Sequence, residues 1–313
     1  MKSAKKNKVG FIGLGIMGKP MVINLIKNDI EVYFYARKKQ IIDEISTIGG
    51  KFIPDPSDIS KFTKVILTNL PNTKDVENIV IGKNGIINNL QIGSIVIDMS
   101  TISPEGTRYI NDKLRARKSY LVDAPVSGGE AGAKSGELSI MVGGDKSAYL
   151  KVKFILSILG SKITYIGKSG SGQVCKACNQ ILVAQTIQSI SEIITIAKKS
   201  DINPMIIREA LLAGYANSKI LEVHGKRMIT SDYKPGFKLS LHHKDLKIAK
   251  NLIKNMGLNL KGLNQVEKAM NRAEREGLSE FDSSVVHTIL AVSYTHLRAH
   301  ETSLHLVCRL LLE

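Results

Sequence analysis

The sequence predicts an α/β protein in which an N-terminal, doubly wound, mostly parallel sheet is followed by an all-helical domain. Three observations carry that expectation. A glycine loop, Gly13-Leu14-Gly15-Ile16-Met17-Gly18, lies between a short apolar run (Val9 to Ile12) and a helical pattern through Met21, Leu25 and Ile26. Short apolar runs then alternate with helical spacing as far as about Gly167. Beyond Gly172 only helical spacing remains. Residues 1–167 are expected to form the first domain and 168–290 the second.

The glycine loop reads G-x-G-x-x-G after a strand and before a helix, the fingerprint of a Rossmann-type dinucleotide site. The first glycine permits a tight turn, the second lets backbone approach a pyrophosphate, and the third lets helix and strand pack closely. The helix start offers N–H groups and a positive dipole end to the phosphates. The second strand, from Glu31, ends in Ala36-Arg37-Lys38-Lys39. An NAD-selective site usually carries Asp or Glu there to hold the ribose hydroxyls. Three cations and no acid favour NADP(H), with NAD(H) possible; a solvated basic turn is the plainer alternative.

Later strands end in candidate site residues. Val65-Ile66-Leu67 runs into Asn69-Leu70-Pro71, Ile95 to Asp98 into Met99-Ser100-Thr101, and Tyr120 to Asp123 into a loop at Ser127. Ser139 to Val142 and Ile163 to Ile166 are further strands. Ligands of open parallel sheets bind outside the carboxyl ends of the strands, so Leu70, Pro71, Thr101 and Ser127 are expected along one crevice.

Two segments carry the chemistry. In DAPVSGGEAGAKSGELSIMVGG, from Asp123, the small residues Ser127, Gly128 and Gly129 can present backbone N–H groups to a carboxylate. In GKSGSGQVCKACNQ, from Gly167, glycines end a strand and open a helix on which Lys176 and Asn179, three apart, share a face. A cationic proton donor, an amide and an anion-holding loop suit a carbonyl reductase acting on a small acid. A helix lysine is ordinarily just solvated; here the surrounding motif outweighs that reading. Helical patterns then cover Val174 to Lys199, Met205 to Leu212, Asn217 to Ile229, Leu246 to Met256 and Leu263 to Glu276, with a turn at Lys234-Pro235-Gly236-Phe237.

Composition narrows the classes. The 313-residue chain is 43% hydrophobic, enough for sizeable cores, and has no uninterrupted apolar run of membrane-spanning length. Its net charge of +16 raises nucleic acid as a partner, but the cations are scattered, aromatics are 5% and Trp is absent, so none is expected. A cytoplasmic homo-oligomer acting on a small molecule is expected. Three cysteines give no disulfide framework; Cys175 and Cys178 read as helix-packing residues, and neither they nor His242-His243 have companions at metal spacing. No metal is expected. Residues 291–313 fit nothing upstream and read as a translated sequencing adapter, so they are set aside.

Four ordered motifs together resemble the β-hydroxyacid dehydrogenase family, related to 3-hydroxyisobutyrate dehydrogenase, from Lys8 to roughly Leu290. They are the loop at Gly13–Gly18, D-x-P-V-S-G-G-x-x-G-A-x-x-G at Asp123–Gly136, G-x-x-G-x-G-x-x-x-K-x-x-N at Gly167–Asn179, and K-D-L at Lys244–Leu246. The resemblance implies that Lys176 is the catalytic lysine and that Ser127, Gly128, Gly129 and Asn179 bind substrate. It implies that Thr101 lies beside substrate and nicotinamide, that Lys244 approaches the cofactor, and that Phe237 and Asp245 shape the closed site. Gln180 after the motif asparagine, and KPGFKLSLHHKDL later, resemble the 2-hydroxy-3-oxopropionate (tartronate semialdehyde) reductase branch. The 3-hydroxyisobutyrate and succinic-semialdehyde branches are alternatives. The chain is too short for a 6-phosphogluconate dehydrogenase and keeps the lysine that imine reductases replace. Outside the enzymes, a dinucleotide-binding regulatory module is the competing reading, set against by the presence of both Lys176 and Asn179.

Overall fold

The computed structural model describes residues 7–290; the adapter-like segment lies outside the described residues. These fall into two compact units that divide between Cys178 and Asn179, within one long helix.

The first unit runs β1 (Lys8–Ile12), α1 (Gly18–Lys27), β2 (Glu31–Tyr35), α2 (Lys39–Thr47), β3 (Lys51–Phe52), α3 (Ile59–Phe62), β4 (Val65–Thr68), α4 (Thr73–Ile81), β5 (Ile95–Asp98), α5 (Pro104–Ala116), β6 (Tyr120–Asp123), β7 (Val126–Ser127), α6 (Gly129–Ser135), β8 (Ser139–Gly144), α7 (Lys146–Leu159), β9 (Lys162–Gly167) and the start of α8 (Ser171–Lys199). Its strands form one nine-stranded sheet in the order β3-β2-β1-β4-β5-β6-β8-β7, with β9 on β8. Pairing is parallel from β3 across to β6, and again between β8 and β9. Only β8 runs antiparallel to its neighbours β6 and β7.

Strands covered on both faces read as continuous apolar runs, with successive side chains going to opposite faces. Phe11, Leu67, Ile97 and Val122 pack into one buried cluster with Met21, Val22 and Leu25 of α1 and Val152 and Leu156 of α7. Their strand neighbours Ile12, Ile66, Val96 and Leu121 pack into another with Val76 and Val80 of α4 and Ile110 and Leu114 of α5. α4, α5 and α7 begin on side-chain caps: Asn72 accepts from the Asp75 N–H, Ser103 from Gly106, and Asp145 from Ser147 and Ala148. Two strands escape the sequence reading, β3 and β7, because two residues cannot display a period of two. Ser127 therefore sits at the end of a strand, paired with Ser139, rather than in an open loop.

The second unit holds the remainder of α8, α9 (Pro204–Leu212), a π-helical turn (Leu221–Gly225) leading into α10 (Lys226–Thr230), then α11 (Leu239–Asn255) and α12 (Lys261–Arg275). Among the described residues no strand follows Gly167; an isolated bridge joins Lys238 and Asp282. Leu239, Leu246, Leu263, Val266 and Met270 form its main core with Ala184 of α8. α11 begins at Leu239, earlier than the expected Leu246. His242 and His243, both fully buried, take positions on the inward face that apolar residues would usually hold, so the period is hidden. The 29-residue α8 is the one described helix long and apolar enough, by length and composition, to cross a membrane. Its buried positions include Gln173, Lys176, Gln180 and Ser191, which suit a helix packed within protein.

Asp282 fastens the Lys234-Pro235-Gly236-Phe237 turn. Its fully buried carboxylate accepts from the Gly236 and Phe237 N–H groups at 3.0 and 3.1 Å and from the Ser284 hydroxyl at 2.7 Å, and Arg227 lies 2.8 Å away. Burial alone would raise this carboxyl, but His224, Ser284 and the Phe237 N–H outweigh it and hold the group well below the usual carboxylate range. Removing it takes the carboxylate from Arg227, which keeps the Lys234 carbonyl, and leaves two N–H groups without their acceptor. Asp282→Ala is expected to cost about 3 kcal/mol or more in urea unfolding at pH 7. A depressed folded pKa stabilises above the unfolded pKa and is lost as pH falls through the folded one, so wild type and variant should converge only in strong acid.

Candidate active site

The glycine loop has the geometry that a pyrophosphate needs. Gly13 has φ +102°, and a Cβ there would stand 2.2 Å from the Asn69 carbonyl oxygen. A Cβ on Gly18 would stand 2.0 Å from the Gly13 carbonyl, so only glycine lets α1 begin this close to the loop. Gly15 differs: a Cβ there would meet nothing within 4 Å, which leaves open space directly over the loop backbone. α1 starts with no side-chain cap and no acid in its first turn, the condition for receiving an external anion. Around the glycines, Leu14 is buried, Met17 is half-buried and Ile16 is exposed. α2 also starts with neither cap nor acid, directly after buried Ala36 and exposed Arg37 and Lys38. The residues present fit a dinucleotide with its pyrophosphate at the start of α1.

The parallel register gathers the strand ends. Asn69 N donates to Ile12 O at 2.9 Å, Met99 N to Thr68 O at 2.8 Å and Ala124 N to Asp98 O at 2.7 Å, so the segments after β1, β4, β5 and β6 leave the sheet side by side. Asp98, fully buried, accepts from the Thr68 hydroxyl (2.8 Å) and the Ser100 hydroxyl (2.6 Å). Ser100 in turn accepts from Leu70 N at 2.8 Å, which ties the Leu70-Pro71 segment to the Thr101 segment. Among the described residues Asp98 Oδ2 has no hydrogen-bond partner. Burial raises the Asp98 carboxyl to about 6, against the bonds from Ser100 and Thr68.

Asp123 at the end of β6 receives the start of α8. Its carboxylate accepts from Gly170 N at 2.9 Å and Gln173 N at 3.2 Å. Burial raises this carboxyl, opposed by those same N–H groups. A Cβ on Gly172 would stand 2.4 Å from Met141 O and 2.8 Å from the Asp123 carboxylate, so the second glycine pair of the motif is a matter of room. From this anchored turn α8 carries Lys176, only 6% exposed. Cys175 is half-buried and Cys178 exposed, both free thiols, so the packing role read from sequence applies to Cys175 only. Gly128 and Gly129 follow Ser127 with φ +134° and +62°, and a Cβ on Gly129 would meet open space.

In the second unit a chain of side chains links α8 to α11. Asn179 Nδ2 donates to Gln180 Oε1 at 2.8 Å, Gln180 Nε2 donates to Asp245 Oδ2 at 2.6 Å, and Lys244 Nζ lies 2.9 Å from Asp245 Oδ1. His242 Nε2 sits 3.2 Å from the Gln180 carbonyl, and its ring packs against Phe237 with centroids 5.5 Å apart. Among the described residues no group of three or more His, Cys, Asp or Glu is placed to hold a metal ion.

The NAD-binding domain of 6-phosphogluconate dehydrogenase matches residues 8–167, and the NAD-binding domain of NADP-dependent 3-hydroxyisobutyrate dehydrogenase matches residues 170–290. The chain is 39% identical over 289 residues to the 2-hydroxy-3-oxopropionate reductase of Escherichia coli (strain K12), covering 92% of this chain and 99% of the relative. This chain belongs to the β-hydroxyacid dehydrogenase family. It is thereby an NAD(P)-dependent oxidoreductase. Another family relative is the 2-(hydroxymethyl)glutarate dehydrogenase of Eubacterium barkeri, 34% identical over 247 residues, 78% of this chain and 82% of that one. In fold the chain matches Mycobacterium tuberculosis 3-hydroxyisobutyrate dehydrogenase with L-serine (TM-score 0.84, 24% identity, 91% and 99% of the two chains). It also matches Psf3 in complex with NADP+ and 2-OPP (TM-score 0.83, 22% identity, 90% and 99%).

In the first unit the structure gathers Gly13–Gly18, Leu70, Pro71 and Thr101 along adjacent strand ends, and bonds the Thr101 segment to α8 ahead of Lys176. In the second, Asn179 and Lys244 join one side-chain chain, and Phe237 stands by His242. Sequence reasoning missed Asp98, Gln173 and the capping role of Asp123. Two carboxylates closing apolar strands, followed by serine or proline turns, were the available signal.

A raised folded pKa means the native state holds the Asp98 proton longer than the unfolded chain does. Stability should therefore fall as pH climbs from about 4 through about 6, and level off above. Asp98→Asn keeps an acceptor oxygen and cannot ionise. Its Tm relative to wild type should rise across that window in thermal scans at matched ionic strength. A Tm difference constant from pH 4 to 7 would contradict the assignment.

Proposed function

We propose that this chain reduces a small semialdehyde acid to its hydroxy acid, 2-hydroxy-3-oxopropionate to glycerate first among them, using NADPH in preference to NADH. The observation that carries the reading is Lys176: a buried lysine on a helix whose start is held by a buried carboxylate, within the family's lysine motif. The full-length similarity to an E. coli reductase of that substrate supports the choice of semialdehyde. 3-Hydroxyisobutyrate and succinic semialdehyde are its rivals within the family. A cytoplasmic homo-oligomer is part of the same reading.

The dinucleotide would lie over Gly13 to Gly18, with its adenosine end toward Ala36, Arg37 and Lys38 and its nicotinamide end by Leu70, Pro71 and Thr101; Phe237 and Lys244 would complete its contacts. When bound, it supplies hydride to the carbonyl carbon. Ser127 and the Gly128 and Gly129 N–H groups hold the substrate carboxylate. Lys176 donates a proton to the oxygen as negative charge develops there, an interaction stronger in the transition state than in the ground state. Asn179, its amide oriented by Gln180, fixes the oxygen's direction.

Lys176→Ala should lower kcat by about 100-fold or more, because positioned acid catalysis contributes ~10²–10⁴-fold. NADPH affinity in a fluorescence titration should stay within about twofold, since the lysine acts on the substrate. A variant retaining a tenth of wild-type kcat would remove Lys176 from the proton-donor role. For the cofactor, wild type should show the higher kcat/KM with NADPH, and Ala36→Asp with Arg37→Ala should reverse the order. A wild type that already prefers NADH would mean the basic turn does not hold a 2′-phosphate. A panel of small semialdehydes assayed with both cofactors ranks the substrates.

A further inference from the structure

Gln173 is 1% exposed and lies one helical turn before Lys176. Its side-chain amide makes two bonds, and both go to the segment after β5. Nε2 donates to the Ser100 carbonyl at 2.8 Å, and Oε1 accepts from the Ile102 N–H at 3.1 Å. Those two groups flank Thr101, so a single carboxamide pins the backbone on both sides of it. The Gln173 N–H is held by Asp123, and the Ser100 hydroxyl is held by Asp98. A side chain fixed at its own backbone and at both amide atoms transmits position without slack.

We propose that Gln173 is a positioning residue, which fixes Thr101 relative to the α8 turn carrying Lys176. Its two bonds join the α8 turn ahead of Lys176 directly to the backbone on either side of Thr101, so the clamp sets the register of the proton donor against that loop. The proposal rests on the reading above, in which Lys176 meets the reacting carbonyl and Thr101 lies by the nicotinamide end. Displacements of about 1 Å at such a site can cost roughly 100-fold in rate.

Two variants test it. Gln173→Met keeps length and bulk but makes neither bond. Its kcat should fall by about tenfold or more at every pH, with the NADPH dissociation constant within about twofold of wild type. Gln173→Glu is the sharper probe. A protonated carboxyl can donate to the Ser100 carbonyl and accept from the Ile102 N–H; a carboxylate cannot donate, and it faces the carbonyl with a charge. The charged groups on its own and neighbouring elements are Asp123 on β6, which accepts from its N–H, Asp98 on β5, reached through Ser100, Arg108 on α5, beside Gly170, and Lys176 one turn along α8. The kcat of this variant divided by that of wild type should therefore decline as pH rises, whereas the ratio for Gln173→Met should be flat. A purely packing role would move neither ratio with pH.

Amide hydrogen exchange at Ile102 gives a readout without turnover: it should quicken at least severalfold in Gln173→Met and at high pH in Gln173→Glu beyond the wild-type trend. Unchanged Ile102 exchange, a Gln173→Met kcat within about threefold of wild type, or a pH-independent Gln173→Glu ratio would each overturn the clamp. A wild type inactive on every semialdehyde would instead overturn the functional reading, with the exchange result still deciding the clamp. Should Gln173→Met fail to fold, Gln173→Glu compared at low and high pH carries the test alone.

Discussion

The carboxylate of Asp123 receiving the first turn of α8 is the interaction on which the site depends. A helix start leaves N–H groups without intrahelical partners, and this one lies in the interior, where water cannot serve them. Asp123 accepts from Gly170 and Gln173, and thereby fixes where α8 begins relative to the end of β6. Helical rise is about 1.5 Å per residue, so anchoring the start also fixes the height of Lys176 along the axis. The small residues follow from this geometry. Gly143 and Gly172 both face the Asp123 carboxylate so closely that a Cβ on either would stand within 2.8 Å of it.

Such an arrangement is costly. Asp98 and Asp123 both end strands of the sheet, both are buried, and burial raises the carboxyl of each. Apolar residues would serve the core better. What the carboxylates add is direction. Asp98 orients the Ser100 hydroxyl, which receives Leu70 N–H, while Asp123 holds the α8 start; Gln173 then closes the loop between them. Four strand-end and helix-start segments share one hydrogen-bond network, so a shift in any one must be accommodated by the others. That rigidity suits hydride and proton transfers, which reward fixed geometry more than strong contact.

The parts of this protein legible in its sequence are those where local chemistry forces a residue choice. Gly13 must turn with positive φ and Gly18 must admit a carbonyl at close range, and both requirements write glycine into the chain. Alternating burial on strands sheathed by helices writes the apolar runs. What was not legible depends on partners far apart in sequence. Gln173 acquires its role from Ser100 and Ile102, more than seventy positions upstream, and nothing adjacent to it signals that. β7 is too short to show a period, and α11 hides its first turns behind buried His242 and His243. Asp282 holds the Phe237 turn from 45 residues away, and nothing beside it in the chain signals that.

Gln180 shows how a branch marker acquires a physical meaning. In the sequence it is one of the features that resemble the 2-hydroxy-3-oxopropionate reductase branch. In the structure both ends of its carboxamide have protein partners, the oxygen with Asn179 and the nitrogen with Asp245. An asparagine at this place would be one methylene shorter and would give up reach toward Asp245 on α11. The change would first be felt by Asp245 and its neighbour Lys244, and by the direction of the Asn179 amide. A residue that differs between branches can thus act at a distance, by turning the amide proposed above to meet the substrate. In this chain that amide is oriented by a residue whose own geometry is set from another helix, so the identity of Gln180 is a constraint on α11 as much as on Asn179.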